Sequence, residues 1–193
     1  MTRTILGLMF LAILLVACSP SETTSTSSTT ATTEPQAPTT TLPTRPLAMT
    51  SPAFADGGPI PMKFTCDGED VSPQLDLVGL PTETVALALI VDDPDAPVGV
   101  WDHWVEYDIG AAEGDFTIEE GTGPIGIQGV NSWNLPGYGG PCPPDGENHT
   151  YTFAVFILRD GLDLPPAVDS ATVRAAMEGK VIETVEIEGT YGR

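Results

Sequence analysis

The 193-residue sequence predicts a mostly β protein, an antiparallel β-sandwich with one or two short peripheral helices. Glycine (20 residues) and proline (19 residues) are too abundant for a helical bundle, and they favour a loop-rich β fold. Several short apolar runs are separated by clusters of Gly, Pro and Asp, which is the pattern of antiparallel strands. These runs lie within residues 47–193, a length that suits one hydrophobic core.

The apolar runs place the central strands of this domain. Residues 84–91 (TVALALIV) are apolar throughout and predict a strand that is buried on both faces. Residues 151–158 (YTFAVFIL) predict a second strand of the same kind. Residues 180–188 (KVIETVEIE) partly alternate between apolar and charged side chains, which is typical of a strand with one buried face.

One short helix is predicted at residues 171–178, between two of these strands. Asp169 or Ser170 would begin it, because their side-chain oxygens can accept from the free N–H groups of the first turn. Gly179 would end it, because glycine readily adopts the left-handed conformation that follows a helix.

The first 18 residues predict export. Residues 5–17 are almost wholly apolar, which suits a secretory signal and is too short for a membrane-spanning helix. The run ends in Leu-Val-Ala-Cys, which resembles a bacterial lipobox and makes Cys18 the lipidated residue. We therefore expect a lipoprotein signal peptide at residues 1–17; the alternative is an ordinary signal peptide with an unrelated cysteine.

Residues 18–46 predict a disordered tether behind the lipid anchor. Among residues 19–46, 16 are Ser or Thr and five are Pro, with almost no large apolar side chain. Such a segment buries too little surface to offset the entropy of ordering it. The expected location is therefore the cell membrane, with the domain of residues 47–193 held on the extracytoplasmic side.

The charge balance excludes two classes of partner. The chain has 27 acidic residues against seven Lys and Arg, a formal net charge of −20. Binding to nucleic acid needs a basic surface, and so does electrostatic adhesion to an anionic membrane. We expect neither, and contact with the membrane only through the N-terminal lipid.

The two histidines of the chain lie on predicted strands next to loops rich in Pro and Gly. In residues 101–109 (WDHWVEYDI), strict alternation puts His103 on the same face as Val105. In residues 149–158, His149 shares a face with Tyr151. Either histidine alone could be an ordinary core residue with a hydrogen-bonded ring nitrogen.

Several motifs together resemble the phosphatidylethanolamine-binding protein family, and most closely its bacterial Raf-kinase-inhibitor-like branch. The resemblance covers nearly the whole of residues 47–193, and the order of the motifs makes it specific. The motifs are TCDG at 65–68, VSP at 71–73, DPDAP at 93–97, WDHW at 101–104, GGPCPPDG at 139–146, HTY at 149–151 and GTY at 189–191.

The resemblance implies a β-sandwich built around a large antiparallel sheet, with a small pocket that accepts phosphate-like anions. The ligand-binding residues carried over from the motifs are Asp93, Asp95, His103, Pro141, His149 and Tyr151. The family has an arginine where this chain has Thr150, and alternation turns Thr150 away from the pocket.

The residue types agree with an anion site. Imidazole N–H groups and the Tyr151 hydroxyl can donate to an anion, and Asp93 could fix a histidine tautomer and favour its charged form. The acidic run at residues 92–95 could instead bind calcium, but it lacks the oxygen spacing and glycine of a calcium loop. We therefore expect no metal and no cofactor.

The preferred function is a binding protein for a small anion or a phospholipid headgroup. The alternatives are a hydrolase that uses His103 or His149 as a general base, and an inhibitor of a protease or kinase. No Gly-x-Ser-x-Gly or HExxH motif supplies a nucleophile or a metal site, so we do not expect an enzyme. No motif identifies a protein partner.

The cysteine count favours one disulfide. If Cys18 is acylated, Cys66 and Cys142 remain in an oxidising compartment, and the resemblance places both in loops near the pocket. We expect them to be bonded; the alternative is two unpaired cysteines.

Overall fold

The computed structural model describes residues 45–193, which form a β-sandwich with one short α-helix. The prediction of a mostly β sandwich is therefore confirmed. The strands in chain order are β1 Ala48–Thr50, β2 Gly58–Pro59, β3 Leu75–Leu80, β4 Ala86–Asp93, β5 Trp101–Gly110, β6 Gly114–Ile118, β7 Ile127–Gln128, β8 Asn148–Leu158 and β9 Val181–Gly192, with helix α1 at Ser170–Ala176.

Two sheets form the layers of the sandwich. The smaller has the order β1-β3-β6 and the larger the order β2-β9-β8-β4-β5-β7. All neighbouring strands are antiparallel except the two-residue strand β2, which runs parallel to β9. The long predicted strands occupy the middle of the larger sheet, with β4 between β5 and β8.

The main core lies between the two sheets. Leu75 and Leu77 of the smaller sheet are buried in one cluster with Leu87, Leu89 and Phe153 of the larger sheet. Apolar side chains on both sheet faces are thereby removed from water, which is the principal stabilising contribution in such a fold.

A second core covers the outer face of the larger sheet. Ile90 of β4 and Val105 of β5 pack there with Val173 and Met177 of the α1 region. This second layer explains why β4 is apolar on both faces, as its sequence predicts. The helix begins at the expected cap, since the Asp169 side chain accepts from the Thr172 amide at 2.8 Å.

The pairing of β4 with β5 shifts by one residue near His103. The pair Asp92–Asp102 is followed by the pair Val91–Trp104. His103 is therefore an extra residue opposite β4, a β-bulge of the kind often found beside functional sites.

This bulge puts His103 on a different side from the one that strict alternation predicts. Val105 packs beneath α1, whereas the His103 ring meets Tyr151 of the main core edge-on, with ring centroids 5.1 Å apart. The expectation that His103 shares a face with Val105 is therefore wrong, because alternation holds only while pairing is regular. In β8 the pairing is regular around His149, and that histidine shares its face with Tyr151 as predicted.

Cys66 and Cys142 form a disulfide with a Cα–Cα distance of 5.5 Å, which confirms the predicted pairing. The bond joins the segment after a 3₁₀ turn at Met62–Phe64 to the loop that precedes β8. Two chain regions separated by 76 positions are thereby held beside one end of the larger sheet.

The predicted signal peptide, Cys18 and nearly all of the tether lie outside the described residues. Within residues 45–193, no helix is long and apolar enough to cross a bilayer.

Candidate functional site

The topology brings three motifs to one end of the larger sheet. Because β4 is antiparallel to both of its neighbours, its last residues lie beside the first residues of β5 and β8. Asp93 ends β4, His103 lies near the start of β5, and His149 and Tyr151 lie near the start of β8. Asp93 and His149, which are 56 positions apart in the sequence, are thus placed together by strand order.

A small cavity opens at this end of the sheet. Its volume is about 220 Å³, and its polar lining comes from Asp93, His103 and His149. Pockets for drug-sized ligands usually measure about 300–1,000 Å³, so this cavity suits a smaller group. The remaining lining residues are Ala96, Pro97, Val98, Trp101, Trp133, Cys142, Pro143 and Pro144.

His149 is paired with a carboxylate at each ring nitrogen. Its Nδ1 lies 2.7 Å from Asp93 Oδ2, and its Nε2 lies 3.0 Å from Glu147 Oε2. Burial alone would lower the pKa of His149, but the hydrogen bonds to Asp93 and then Glu147 outweigh it, so the pKa is raised. Since ionised carboxylates only accept hydrogen bonds, this arrangement favours a ring protonated at both nitrogens.

His103 has the opposite character. Its Nδ1 donates to the Gly139 carbonyl oxygen at 2.7 Å, and a carbonyl can only accept. Burial lowers the pKa of His103, and the hydrogen bond to Gly139 offsets this only in part. The neutral ring therefore keeps its proton on Nδ1 and has a lone pair on Nε2, so this histidine is an acceptor rather than the donor that the sequence suggested.

Tyr151 lies beside both imidazoles. Its ring centroid is 5.1 Å from that of His103 and 6.5 Å from that of His149, and the residue is fully buried. Its hydroxyl makes no hydrogen bond of ordinary geometry among residues 45–193, although the Cys142 backbone amide lies close enough to act on its oxygen. Burial, followed by the charge of Asp93, raises the pKa of Tyr151, and the Cys142 backbone offsets this only in part. The hydroxyl is therefore a protonated donor that the fold leaves unsatisfied.

Trp101 and Trp133 form an aromatic wall that the sequence analysis missed. The Trp133 ring meets His103 edge-on at 5.0 Å and Trp101 at 5.4 Å. Trp101 also has a buried indole N–H without a partner in the described part of the chain. The presence of Trp101 beside His103 in one motif was a usable signal, whereas Trp133 lies in a loop with no pattern of its own.

Three predicted ligand-binding residues do not line the cavity themselves: Tyr151, which lies beside the two histidines that do, and Asp95 and Pro141, which support the site. Asp95 is exposed; its carboxylate accepts from the Thr150 amide at 2.8 Å, and its own amide donates to Asp93 at 2.9 Å. Pro141 is buried, and its carbonyl accepts from the Cys66 amide at 3.2 Å. Asp95 therefore fixes Asp93 relative to β8, and the cavity wall in the proline loop is made by Pro143 and Pro144.

The loop before β8 is held closely against the rest of the domain. The Gly140 amide donates to Asp70 at 2.7 Å, and the Tyr138 hydroxyl donates to the Phe64 carbonyl at 2.7 Å. A Cβ atom at Gly140 would lie 2.4 Å from that carbonyl oxygen, so only glycine fits there. The loop thus presents the Gly139 carbonyl to His103 in a fixed position.

Within residues 45–193, no group of three or more His, Cys, Asp or Glu side chains lies close enough together to hold a metal ion. The site offers one charged imidazole and one imidazole lone pair at the cavity, with the buried Tyr151 hydroxyl beside them.

Comparison with known proteins identifies similar chains. A family model described as phosphatidylethanolamine-binding protein matches residues 50–192. A UPF0098 protein of Methanothermobacter thermautotrophicus is 45% identical over 148 residues, which is 73% of this chain and 95% of that protein. A UPF0098 protein of Aquifex aeolicus is 42% identical over 148 residues, covering 74% and 86% of the two chains.

Two solved structures are similar in fold. The putative phosphatidylethanolamine-binding protein homologue CT736 of Chlamydia trachomatis has a TM-score of 0.71 and 36% identity, covering 76% of this chain and 97% of its own. YbcL of Escherichia coli, described as a new member of the mammalian family, has a TM-score of 0.69 and 29% identity, with 76% and 98% coverage.

Proposed function

Because the chain belongs to the phosphatidylethanolamine-binding protein family, we propose that its cavity binds a small phosphate-like anion, either free or as a phospholipid headgroup. The observation that carries this proposal is the fully buried Tyr151 hydroxyl without a partner in residues 45–193, next to a doubly paired His149. A buried donor left unsatisfied costs about 1–3 kcal/mol. Tyr151 does not itself line the cavity but adjoins His103 and His149, which do. An anion that enters between these two rings would remove that cost by accepting the hydrogen bond.

The two histidines suit a phosphate that keeps a proton. His149 is the charged donor, and the Nε2 lone pair of neutral His103 is an acceptor. Inorganic hydrogen phosphate offers an O–H group and several acceptor oxygens near neutral pH, and a phosphate monoester offers an O–H group in its singly charged form, whereas sulfate offers acceptors alone. We therefore expect this cavity to prefer phosphate to sulfate.

Attraction to an anion must be local. Residues 47–193 contain 25 acidic side chains and five basic ones, so the domain repels anions at long range. That repulsion is screened over about 10 Å at 0.1 M salt. Binding should therefore survive moderate concentrations of a salt that does not enter the cavity, which distinguishes it from adhesion to a basic surface.

The size of the cavity limits the ligand. About 220 Å³ accommodates a phosphate group with a short substituent, not two acyl chains. We therefore propose recognition of a headgroup or a small phospho-compound rather than extraction of a whole lipid.

Isothermal titration of the purified protein with inorganic phosphate, phosphoethanolamine and sulfate tests the proposal. His149→Gln removes the charged donor and should weaken phosphate binding at least tenfold, since hydrogen bonds to charged groups contribute about 1.5–3 kcal/mol. Lys63→Gln is the control, because it removes one positive charge at an exposed ion pair with Glu120, outside the cavity. Equal phosphate binding by His149→Gln and wild type would contradict the proposal.

A hydrolase remains the second candidate, and one observation favours it: His103 is neutral and has an Nε2 lone pair at the cavity, as a general base requires. A screen of phosphate and carboxylate esters with His103→Gln as the control would decide. If wild type turns over an ester and His103→Gln does not, the protein is a hydrolase. If neither turns over any ester, the result supports a binding protein.

We further propose that the protein is a lipid-anchored, extracytoplasmic member of the bacterial Raf-kinase-inhibitor-like branch. The supporting features are the apolar residues 5–17, the lipobox-like end at Cys18, the Ser/Thr-rich tether and the order of the site motifs. The disulfide is consistent with an oxidising compartment.

A further inference from the structure

The two carboxylates that hold His149 differ in their freedom to move. The Asp93 side chain is only 6% exposed and is also fixed by the Asp95 amide. The Glu147 side chain is 53% exposed, and His149 is its partner for a hydrogen bond of 3.0 Å. Glu147 can therefore leave the ring and be solvated, whereas Asp93 cannot.

The backbone of Glu147 is held independently of its side chain. Its amide donates to the Pro144 carbonyl at 3.0 Å, and its carbonyl accepts from the Arg193 amide at 3.2 Å. Departure of the carboxylate from His149 therefore needs only side-chain rotation, with the loop in place.

We infer that Glu147 is an internal competitor for the anion site, because its carboxylate occupies the His149 Nε2 donor that a bound anion must take. The inference rests on the proposed function and adds an affinity-setting residue to it. A tethered carboxylate acts at a high effective concentration, so the binding free energy of an incoming anion is reduced by the cost of displacing it. Weakly held anions such as free carboxylates are then excluded at ordinary concentrations, and a phosphate group with nearly two charges can still enter.

Competition makes a specific quantitative prediction. Occupation of one donor by Glu147 lowers the apparent affinity for every anion that uses this donor, and it does so by a common factor. Glu147→Gln keeps the shape and the backbone bonds but removes the charge. The variant should bind both inorganic phosphate and acetate about 1.5- to fivefold more tightly, the range expected from removing one partly exposed ion pair.

Asp145→Asn is the matched control. Asp145 lies in the same loop, its side chain is 93% exposed, and its ionic contact is with Arg193 at 3.9 Å rather than with His149. This change removes the same charge without touching the ring, so it measures the effect of net charge alone. Affinities that rise equally in both variants would overturn the role of Glu147 as a competitor.

The experiment combines calorimetric titration of phosphate and acetate with NMR titration of the two histidines in the absence of ligand. The ion pair predicts a lower His149 pKa in Glu147→Gln and an unchanged one in Asp145→Asn, with His103 as an internal reference. A wild type that binds phosphate no more weakly than Glu147→Gln would overturn the inference and leave the anion site standing. If neither wild type nor Glu147→Gln binds phosphate, the anion site itself is refuted, and the role of Glu147 as a competitor with it. If only Glu147→Gln binds phosphate, the anion site and the role of Glu147 are both supported.

Discussion

Tyr151→Phe should make the protein more stable and a poorer binder. The hydroxyl is fully buried without a partner in residues 45–193, so the folded state carries its desolvation without a compensating bond. Replacement by a ring of nearly the same shape should raise the free energy of unfolding by about 1 kcal/mol, the lower end of the penalty for an unsatisfied group. For a domain of about 150 residues this corresponds to a rise in Tm of roughly 2–4 °C.

The same change should weaken phosphate binding. A hydrogen bond from Tyr151 to a charged oxygen contributes about 1.5–3 kcal/mol, so its loss lowers affinity roughly 10- to 150-fold. A gain in stability together with a loss of phosphate affinity is the result expected of a hydroxyl donor that is unsatisfied in the free protein and hydrogen-bonded to the ligand in the complex. Thermal unfolding without phosphate and calorimetric titration with phosphate measure them separately.

Tyr107→Phe provides the comparison. Tyr107 is also fully buried, but its hydroxyl donates to the Pro165 carbonyl at 2.6 Å, beneath the helix and away from the cavity. Its loss should lower stability by about 0.5–1.5 kcal/mol and leave phosphate affinity unchanged. If Tyr151→Phe behaves in the same way, with lower stability and unaltered affinity, the reasoning about an unsatisfied donor is refuted.

Three further outcomes are expected. Replacing Cys66 and Cys142 together by Ala should lower the free energy of unfolding in guanidinium by at most about 4–5 kcal/mol, given a loop closed over 76 positions; no loss would contradict the loop-closure argument. The pKa of His149 is raised on folding, so its stabilising contribution is complete below its unfolded pKa of about 6.5 and is lost as pH rises through the folded pKa. The Tm of wild type should therefore fall across that pH range. A parallel fall in His149→Gln would show that the loss of stability comes from another group. Metabolic labelling with a fatty-acid probe should tag wild type and not Cys18→Ala, and equal labelling of both would exclude this anchor.

The long strands and the helix could be predicted because each carries a strong local pattern. The apolar run of β4 and the Asp169 cap are properties of neighbouring residues, and both appear in the structure. The smaller sheet could not be located in the same way. Its strand β3 loses regular pairing with β6 between Leu77 and Leu80, where Gly79 has a φ of 73°, and β1 has only three residues, so neither carries a pattern as strong as that of β4.

The face of His103 could not be predicted from alternation. Periodicity assumes that each residue of β5 has one partner on β4. The bulge breaks this one-to-one pairing at His103, the residue whose direction matters most for the site. The motif match still placed His103 near His149, because it depends on the order of segments and not on local geometry. The loop contacts of Glu147 and Trp133 had no comparable signal.

The charge states of the two histidines are the property of the site that the sequence predicts least well. The side chains are identical, and each lies near the start of a strand beside β4. A backbone carbonyl at Nδ1 keeps His103 neutral in its buried position, whereas carboxylates at both nitrogens hold a proton on His149. Donor and acceptor therefore face one small cavity because of which atoms reach each ring. The loop that supplies the Gly139 carbonyl and Glu147 is positioned by the glycine-restricted turn at Gly140 and by a disulfide that joins segments 76 positions apart. The same dependence makes Glu147 important, because a single side chain from that loop controls whether the charged donor is available.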